Sequence, residues 1–275
     1  MNCDPANTPR FSPNLIRAEV VRLALSGRLL PAVSDTLRWG DVARRAAMSR
    51  YGRLNSRRAS PALSGKSHDG QPLRGHRHTF YLPTDEDGDG YLDHITLVMP
   101  GGLDAAELAA VASIDALSLG GMRLAVRVSI EGIGAANDFR DVLPIFGVSS
   151  KWRSLTPYVL PRHVKFRGPR DAGGLRRMVD GPEDQVAQEV STRWPEGPRL
   201  VRVERRDVCE PIRSMVPGCA EGSPPFEFFR HRNSGSNGGG AFNFLLEWAE
   251  PVPGPVALGF SCHYGLGLFV PMWND

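Results

Sequence analysis

The residues best able to do chemistry are crowded into one short stretch, Gly75 to His94 (GHRHTFYLPTDEDGDGYLDH). It holds three histidines and five acids, with no lysine. In an extended segment, His76-x-His78 places two imidazoles on the same side. Imidazole is the side chain best matched to proton transfer near neutral pH. The same pair could supply two zinc ligands, with His94 across the acidic turn, but no third ligand has the right spacing. The run Asp85-x-Asp87-x-Asp89-Gly90-x-x-Asp93 matches the front of a calcium loop, in which alternate acids converge on one hard cation. Position 12 of such a loop is Thr96 here, not the bidentate Glu. Asp and Gly are also the ordinary residues of a solvated turn. Three chemistries therefore stay open: a structural calcium ion held by Asp85, Asp87, Asp89 and Asp93, a transition-metal site, or a hairpin carrying catalytic imidazoles.

A second stretch, WRSLTPYVLPRHVKFRG (Trp152–Gly168), mixes Trp152, Tyr158 and Phe166 with Arg153, Arg162, His163, Lys165 and Arg167. Aromatics that stack bases, set among cations that hold phosphates, are what single-stranded RNA requires; a β-segment with a solvated cationic face is the plainer reading. Near the end of the sequence, GFSCHYGLGLFVP (Gly259–Pro271) carries His263 and the paired glycines Gly265 and Gly267. No helix is predicted after it, so it is not a dinucleotide fingerprint. Its glycines would let backbone N–H groups approach a phosphate or simply permit a tight bend.

The elements that must position these residues read as α+β. Asn14–Leu30 and Asp35–Tyr51 have apolar residues at helical spacing. Gly52–Gly75 is a basic, turn-rich arm. His78–Leu82 and His94–Met99 form a hairpin around the acidic turn. A helix over Asp104–Leu117 follows, opened by Asp104 and Glu107 at capping-box spacing. Arg123–Ile130 then alternates as a strand. The order strand, strand, helix, strand is the second half of a ferredoxin-like β-α-β-β-α-β unit. The later sequence repeats the mixture, with a helix over Asp184–Trp194 and strands in LVRVERR, PFEFFRHR and the segment leading to Phe260.

Charge is unevenly spread. Net charge is +3, yet Val42–Arg74 and Lys151–Arg177 are strongly basic while Thr84–Glu107 is acidic. Two separated basic blocks are the footprint expected of a polyanion partner. The 41% hydrophobic content supports a sizeable core. No apolar run approaches a membrane span. The four cysteines contain no CxxC pair, which argues against a disulfide framework or zinc knuckle. A reduced, cytoplasmic protein is the expectation.

Taken together, SGKSHDGQPLRGHRHTFYLPTDEDGDGYLDH, WRSLTPYVLPRHVKFRG and GPVALGFSCHYGLGLFVP resemble the RAMP superfamily of CRISPR-associated proteins. More narrowly, they look like the repeat-processing half of the type I-U (I-G) fused effector subunit. The resemblance implies two tandem ferredoxin-like (RRM/RAMP) domains with an N-terminal helical extension. The boundaries expected are residues 1–75 for helices and basic arm, 76–145 for the first lobe and 146–275 for the second, with its glycine-rich loop. It implies an endoribonuclease that binds CRISPR repeat RNA, cleaves the precursor by 2′-OH attack without a metal, and retains the crRNA beside other type I-U effector subunits. By that resemblance His76 and His78 are the acid/base pair and His263 the runner-up. Arg153, Arg162, His163, Lys165, Arg167, Arg230, Arg232, Gly265 and Gly267 hold RNA. The fused subunit of that family is longer, with a module that grips the 5′ handle, so this sequence reads as a truncated or stand-alone version. A non-catalytic crRNA-binding subunit and a calcium-binding protein are the alternatives.

Overall fold

A computed structural model of the chain describes residues 18–56, 58–119, 125–170, 176–207, 228 and 240–272. The first lobe is a five-stranded antiparallel sheet. Its strands are β1 (Ala18–Ser26), β2 (Phe80–Thr84), β3 (His94–Leu103), β4 (Ala116–Ser118) and β5 (Ala125–Gly134), in the spatial order β2-β3-β1-β5-β4. Helix α1 (Thr36–Leu54) connects β1 to β2 by way of the short α2 (Pro61–Ser64), and α3 (Ala105–Ala112) follows β3. Leaving aside the small β4, this is the complete β-α-β-β-α-β ferredoxin-like unit. Its missing first strand is Ala18–Ser26, predicted above as part of a helix. The strand is central, paired with β3 on one side and β5 on the other. It is buried on both faces, so its apolar run does not alternate, and periodicity alone does not separate such a strand from a buried helix. Residues 18–75 thus supply a strand and a helix to the first lobe. Among the described residues that lobe takes in β1 from Ala18 onward, so position 76 falls inside it.

Val21, Leu23 and Leu25 of β1 face α1 and α3, packing with Trp39, Val42, Ala43, Leu97 and Val111. Each fully buried aliphatic side chain of this kind contributes on the order of 1.5–3 kcal/mol. The cap of α3 is as predicted. Asp104 accepts the Glu107 N–H at 2.8 Å and Glu107 accepts the Asp104 N–H at 3.0 Å. The helix ends at Ala112, short of the expected Leu117, which lies in β4.

The second lobe repeats the topology. Strands β6 (Val148–Ser154), β10 (Leu200–Arg206), β11 (Ala241–Pro253), β12 (Val256–Ala257) and β13 (Leu268–Pro271) take the order β10-β11-β6-β13-β12, with β7 (Tyr158–Val159) also paired to β11. Helix α4 (Pro182–Arg193) is the first crossover. A loop over 258–267 stands where the second helix of the unit would be. The basic hairpin of β8 (Lys165–Arg170) and β9 (Arg176–Val179) projects between β7 and α4. The architecture is thus α+β with two tandem ferredoxin-like folds.

The lobes meet along an apolar seam. Val20, Phe80, Leu82 and Val98 from the first sheet pack with Phe139 and Phe146 of the connector and with Leu155, Cys262, Leu268 and Val270 of the second lobe. Among the described residues no helix is long and apolar enough to cross a membrane.

Candidate functional site

The three histidines assemble at this seam. Strand β2 begins at Phe80, so His76 and His78 lie ahead of it in a turn, not on the extended segment predicted from His78 onward. His76 has a left-handed φ of 53°. His263 arrives from the far end of the sequence on a short 3-10 turn, Cys262–Tyr264. His76 Nδ1 lies 2.9 Å from His263 Nε2. The His78 ring stacks on His263 at 3.6 Å, and Phe80 stacks at 3.8 Å. His263 Nδ1 lies 3.3 Å from the Thr79 carbonyl. A carbonyl only accepts, so Nδ1 carries the proton and Nε2 presents its lone pair to His76. His76 Nδ1–H then donates into that lone pair, which leaves His76 Nε2 free.

Two glycines hold His263 in place by close packing. A Cβ on Gly267, at φ 59°, would lie 1.8 Å from the Leu258 carbonyl oxygen. One on Gly265, at φ 87°, would lie 2.7 Å from both Pro83 Cδ and Thr36 Cγ2. These glycines seat the loop against the protein itself, which accounts for the motif without a phosphate. On the other side of the loop, both Glu189 carboxylate oxygens accept the Gly259 N–H at 2.9 Å. Glu189 also pairs with Arg193, whose guanidinium donates to the Ala257 carbonyl at 2.6 Å and approaches Cys262 Sγ at 3.3 Å.

The cluster is electrostatically distinctive. Burial, with the Arg193 charge second, lowers His76 from 6.5 to about 4. Burial, then the charges of His76 and Arg44, lowers His78 to about 4. Burial and the two neighbouring imidazoles lower His263 furthest, to about 2. All three are neutral at pH 7. His76 and His263 line a cleft of about 900 Å³ together with Arg77, Phe80, Arg162 and Arg193. His78 sits behind them, its buried Nδ1 without a hydrogen-bond partner.

The remaining predicted residues divide sharply. Lys165 and Arg167 are exposed on the β8–β9 hairpin, and His163 is exposed just before it. Phe166 is 56% exposed beside them. Arg162 is held by Asp180 at 2.8 Å. Arg153 is buried, 8% exposed in β6 between β11 and β13. Trp152 and Tyr158, expected to stack bases, are core residues at 0% exposure; Trp152 alternates inward from the central strand β6. Arg230 and Arg232 lie outside the described residues. Arg193, which sequence reasoning missed, reaches Cys262 Sγ at 3.3 Å and is the charge that acts on His76. Its only signal was a place in the last turn of a predicted helix.

The acidic loop is largely occupied by its own backbone. Asp85 accepts the Gly88 and Gly90 N–H groups at 2.7 and 2.9 Å. Asp93 accepts from Glu86 and Asp87, and Asp87 and Asp89 accept from Asp89 and Tyr91. Asp85, Asp87 and Asp89 still approach one another closely enough to hold an ion, while Asp93 is drawn away to His94 at 2.8 Å. His94 lies in a separate network with Glu86, Glu131 and Arg22, so it is not a third ligand for His76 and His78.

No family model matches the sequence, and no curated protein matches it. Solved structures do align over most of the chain. A Cas6 product complex aligns with 17% identity and a TM-score of 0.42, covering 94% of this chain and 100% of that one. A CRISPR-associated protein Cas6 aligns with 10% identity and a TM-score of 0.43, covering 92% and 98%. A RAMP protein binding different RNA substrates aligns with 13% identity and a TM-score of 0.43, again covering 92% and 98%.

Proposed function

We propose that this chain is an endoribonuclease of the CRISPR repeat-processing kind, acting on folded RNA laid across the cleft between its lobes. The observation that carries the reading is the contact of His76 with His263 at 2.9 Å on the wall of a cleft that Arg77, Arg162 and Arg193 also line. Of the three sequence blocks that resemble the repeat-processing nuclease, the first supplies His76 and His78, the second the basic β8 strand and the third His263. His76 is the acid/base group, His263 is the imidazole that orients it, and His78 is the ring that backs His263.

The reaction needs a base for the 2′-OH, an acid for the departing 5′-oxygen, and cations against the phosphoryl charge. Neutral His76 offers Nε2 as base. Once protonated, it is stabilised by donating Nδ1–H to His263, as an orienting partner does in other dyads. The imidazolium formed at His76 then returns that proton from Nε2 to the departing 5′-oxygen, so one imidazole serves as base and acid in turn. Exposed Lys165, Arg167 and Phe166 on the β8–β9 hairpin hold the RNA beside the cleft. No metal takes part in these steps. The finer reading, a subunit of the type I-U effector that retains its crRNA, follows from the resemblance alone.

The test is labelled repeat RNA incubated with the protein in the presence of a chelator. Cleavage leaving a 2′,3′-cyclic phosphate is expected, lost in His76→Ala and His263→Ala. Salt-sensitive binding without cleavage would instead make the chain a non-catalytic crRNA-binding subunit.

A further inference from the structure

Cys262 has no part in the proposed cleavage, yet its sulfur is 4.0 Å from His76 Nδ1. The ligand atoms of His76, Cys262 and His263 all lie within 4.8 Å of one another. We propose that these three residues form a binding site for a thiophilic divalent cation of the Zn²⁺ class, and that the bound ion shuts off the cleavage chemistry of the same imidazoles.

The donor set is that of a catalytic-type zinc site, two imidazoles and a thiolate with a fourth position open. With Zn–N bonds of about 2.0–2.1 Å and a Zn–S bond of about 2.3 Å, tetrahedral edges are about 3.4 Å between nitrogens and about 3.6 Å between nitrogen and sulfur. The observed 2.9 and 4.0 Å differ from these by roughly half an ångström or less. His76 lies in a turn outside any helix or strand, so it can make that adjustment. A separate observation points the same way. The Thr79 carbonyl receives His263 Nδ1–H and so turns the Nε2 lone pair inward, the outer contact that metal-ligating histidines characteristically have.

Proton accounting is simple. Cys262 releases its S–H proton to solvent and bonds the metal as thiolate. His76 moves its proton from Nδ1 to Nε2 with no net release, and His263 is unchanged. Burial pushes the free thiol up and favours the neutral form. The Arg193 guanidinium at 3.3 Å and the metal itself both favour the thiolate. Glu189 beside Arg193 keeps the local charge from accumulating. A bound ion would occupy the lone pair through which His263 supports His76, and it would fix His76 with Nε2 protonated, the form that cannot accept the 2′-OH proton. The shut-off rests on the cleavage reading above; the metal site does not.

The direct experiment is titration of chelator-treated protein with Co²⁺. A one-to-one complex is expected, with the visible bands of a four-coordinate ion and a sulfur-to-cobalt charge-transfer band, displaced by Zn²⁺. In C262S the charge-transfer band should vanish and Zn²⁺ affinity fall at least about 10-fold, while metal-free cleavage persists and becomes resistant to Zn²⁺. Should C262S fail to fold, H76Q supplies the second arm, with weakened Co²⁺ binding expected at an intact circular-dichroism spectrum. Absence of the charge-transfer band in folded wild type, or its persistence in C262S through the other cysteines, overturns the site. Stoichiometric binding with cleavage unaffected overturns the shut-off and leaves the cleavage reading standing. No cleavage at all, with the Co²⁺ bands present, overturns the cleavage reading and the shut-off with it, and leaves the metal site standing.

Discussion

The two ends of the β2–β3 hairpin are built from similar residues and behave in opposite ways. At the start of β2, His76 and His78 lie against His263, Phe80 and Cys262, where burial leaves the imidazoles neutral. At the turn, burial also pulls His94 down, but the Asp93 hydrogen bond and the Glu86 charge outweigh it and raise His94 above 6.5. Asp93 moves in the complementary direction. Burial favours its protonated form, and the His94 and backbone hydrogen bonds overcome that to lower it. The acidic end satisfies its own polar groups and becomes structure. The histidine end leaves lone pairs unspent on the wall of a cleft. What distinguishes a reactive cluster from a brace is therefore the pairing of the polar atoms, not their residue types.

The largest expected effect separates the ends by activity. His76→Ala and His263→Ala should each lower cleavage of labelled repeat RNA by about 10²–10⁴-fold, the usual contribution of positioned acid/base groups. Asp93→Asn should stay within a few-fold of wild type. A deep loss of activity in Asp93→Asn with the fold intact would erase the distinction.

Stability separates the ends next. Arg22 is 9% exposed and makes a bidentate pair with Glu86 at 2.6 and 2.9 Å, plus a bond to Glu131. Arg22→Met would strand two carboxylates. Full burial would make that a loss of about 3–5 kcal/mol; because Glu131 is half exposed, about 2 kcal/mol by denaturant titration is expected after discounting for solvent screening. An unchanged midpoint would mean that the network at the turn is not a brace.

A smaller effect is pH-dependent and opposite in sign at the two ends. The three clustered imidazoles bind fewer protons folded than unfolded. Their contribution is complete above pH 6.5 and is lost as pH falls toward about 4. His94 contributes fully below 6.5, and its share is lost as pH rises through its raised folded pKa. Chemical denaturation across pH 4–8 should show stability falling on acidification, and His78→Gln should flatten that limb. A slope unaltered in His78→Gln would remove that imidazole from the linkage. The smallest effect is expected at Asp87, which is exposed at the tip of the loop. Asp87→Ala should shift stability by about 0.5 kcal/mol or less and leave cleavage in chelator unchanged. A large loss would revive the calcium-loop reading.

Much of this was legible in sequence because the signals are local. The helix of Thr36–Leu54, the capping box at Asp104 and the β2–β3 hairpin all follow from neighbours within a few residues. β1 was not legible, because a central strand buried on both faces carries no alternation. Glu131 was hidden for a related reason. The β1–β5 register steps from Leu23–Ile130 to Arg22–Gly132, and the bulge leaves Glu131 as the extra residue, turned toward Arg22 and His94. Ile130, beside the bulge, is accordingly 39% exposed. Trp152, Tyr158 and Arg153 read as an RNA surface because composition reports residue types without the faces they occupy.

The sequence by itself determined the α+β character, the basic blocks, the hairpin with its acidic turn, and the presence of imidazoles competent for proton transfer. Tertiary structure alone decided that His263 meets His76 across 187 positions, that Cys262 joins them, and that His94 does not. Local propensity acts over a few residues, whereas closing the seam between two lobes depends on long-range packing, and that packing also removes the water that would otherwise keep these imidazoles at their ordinary pKa.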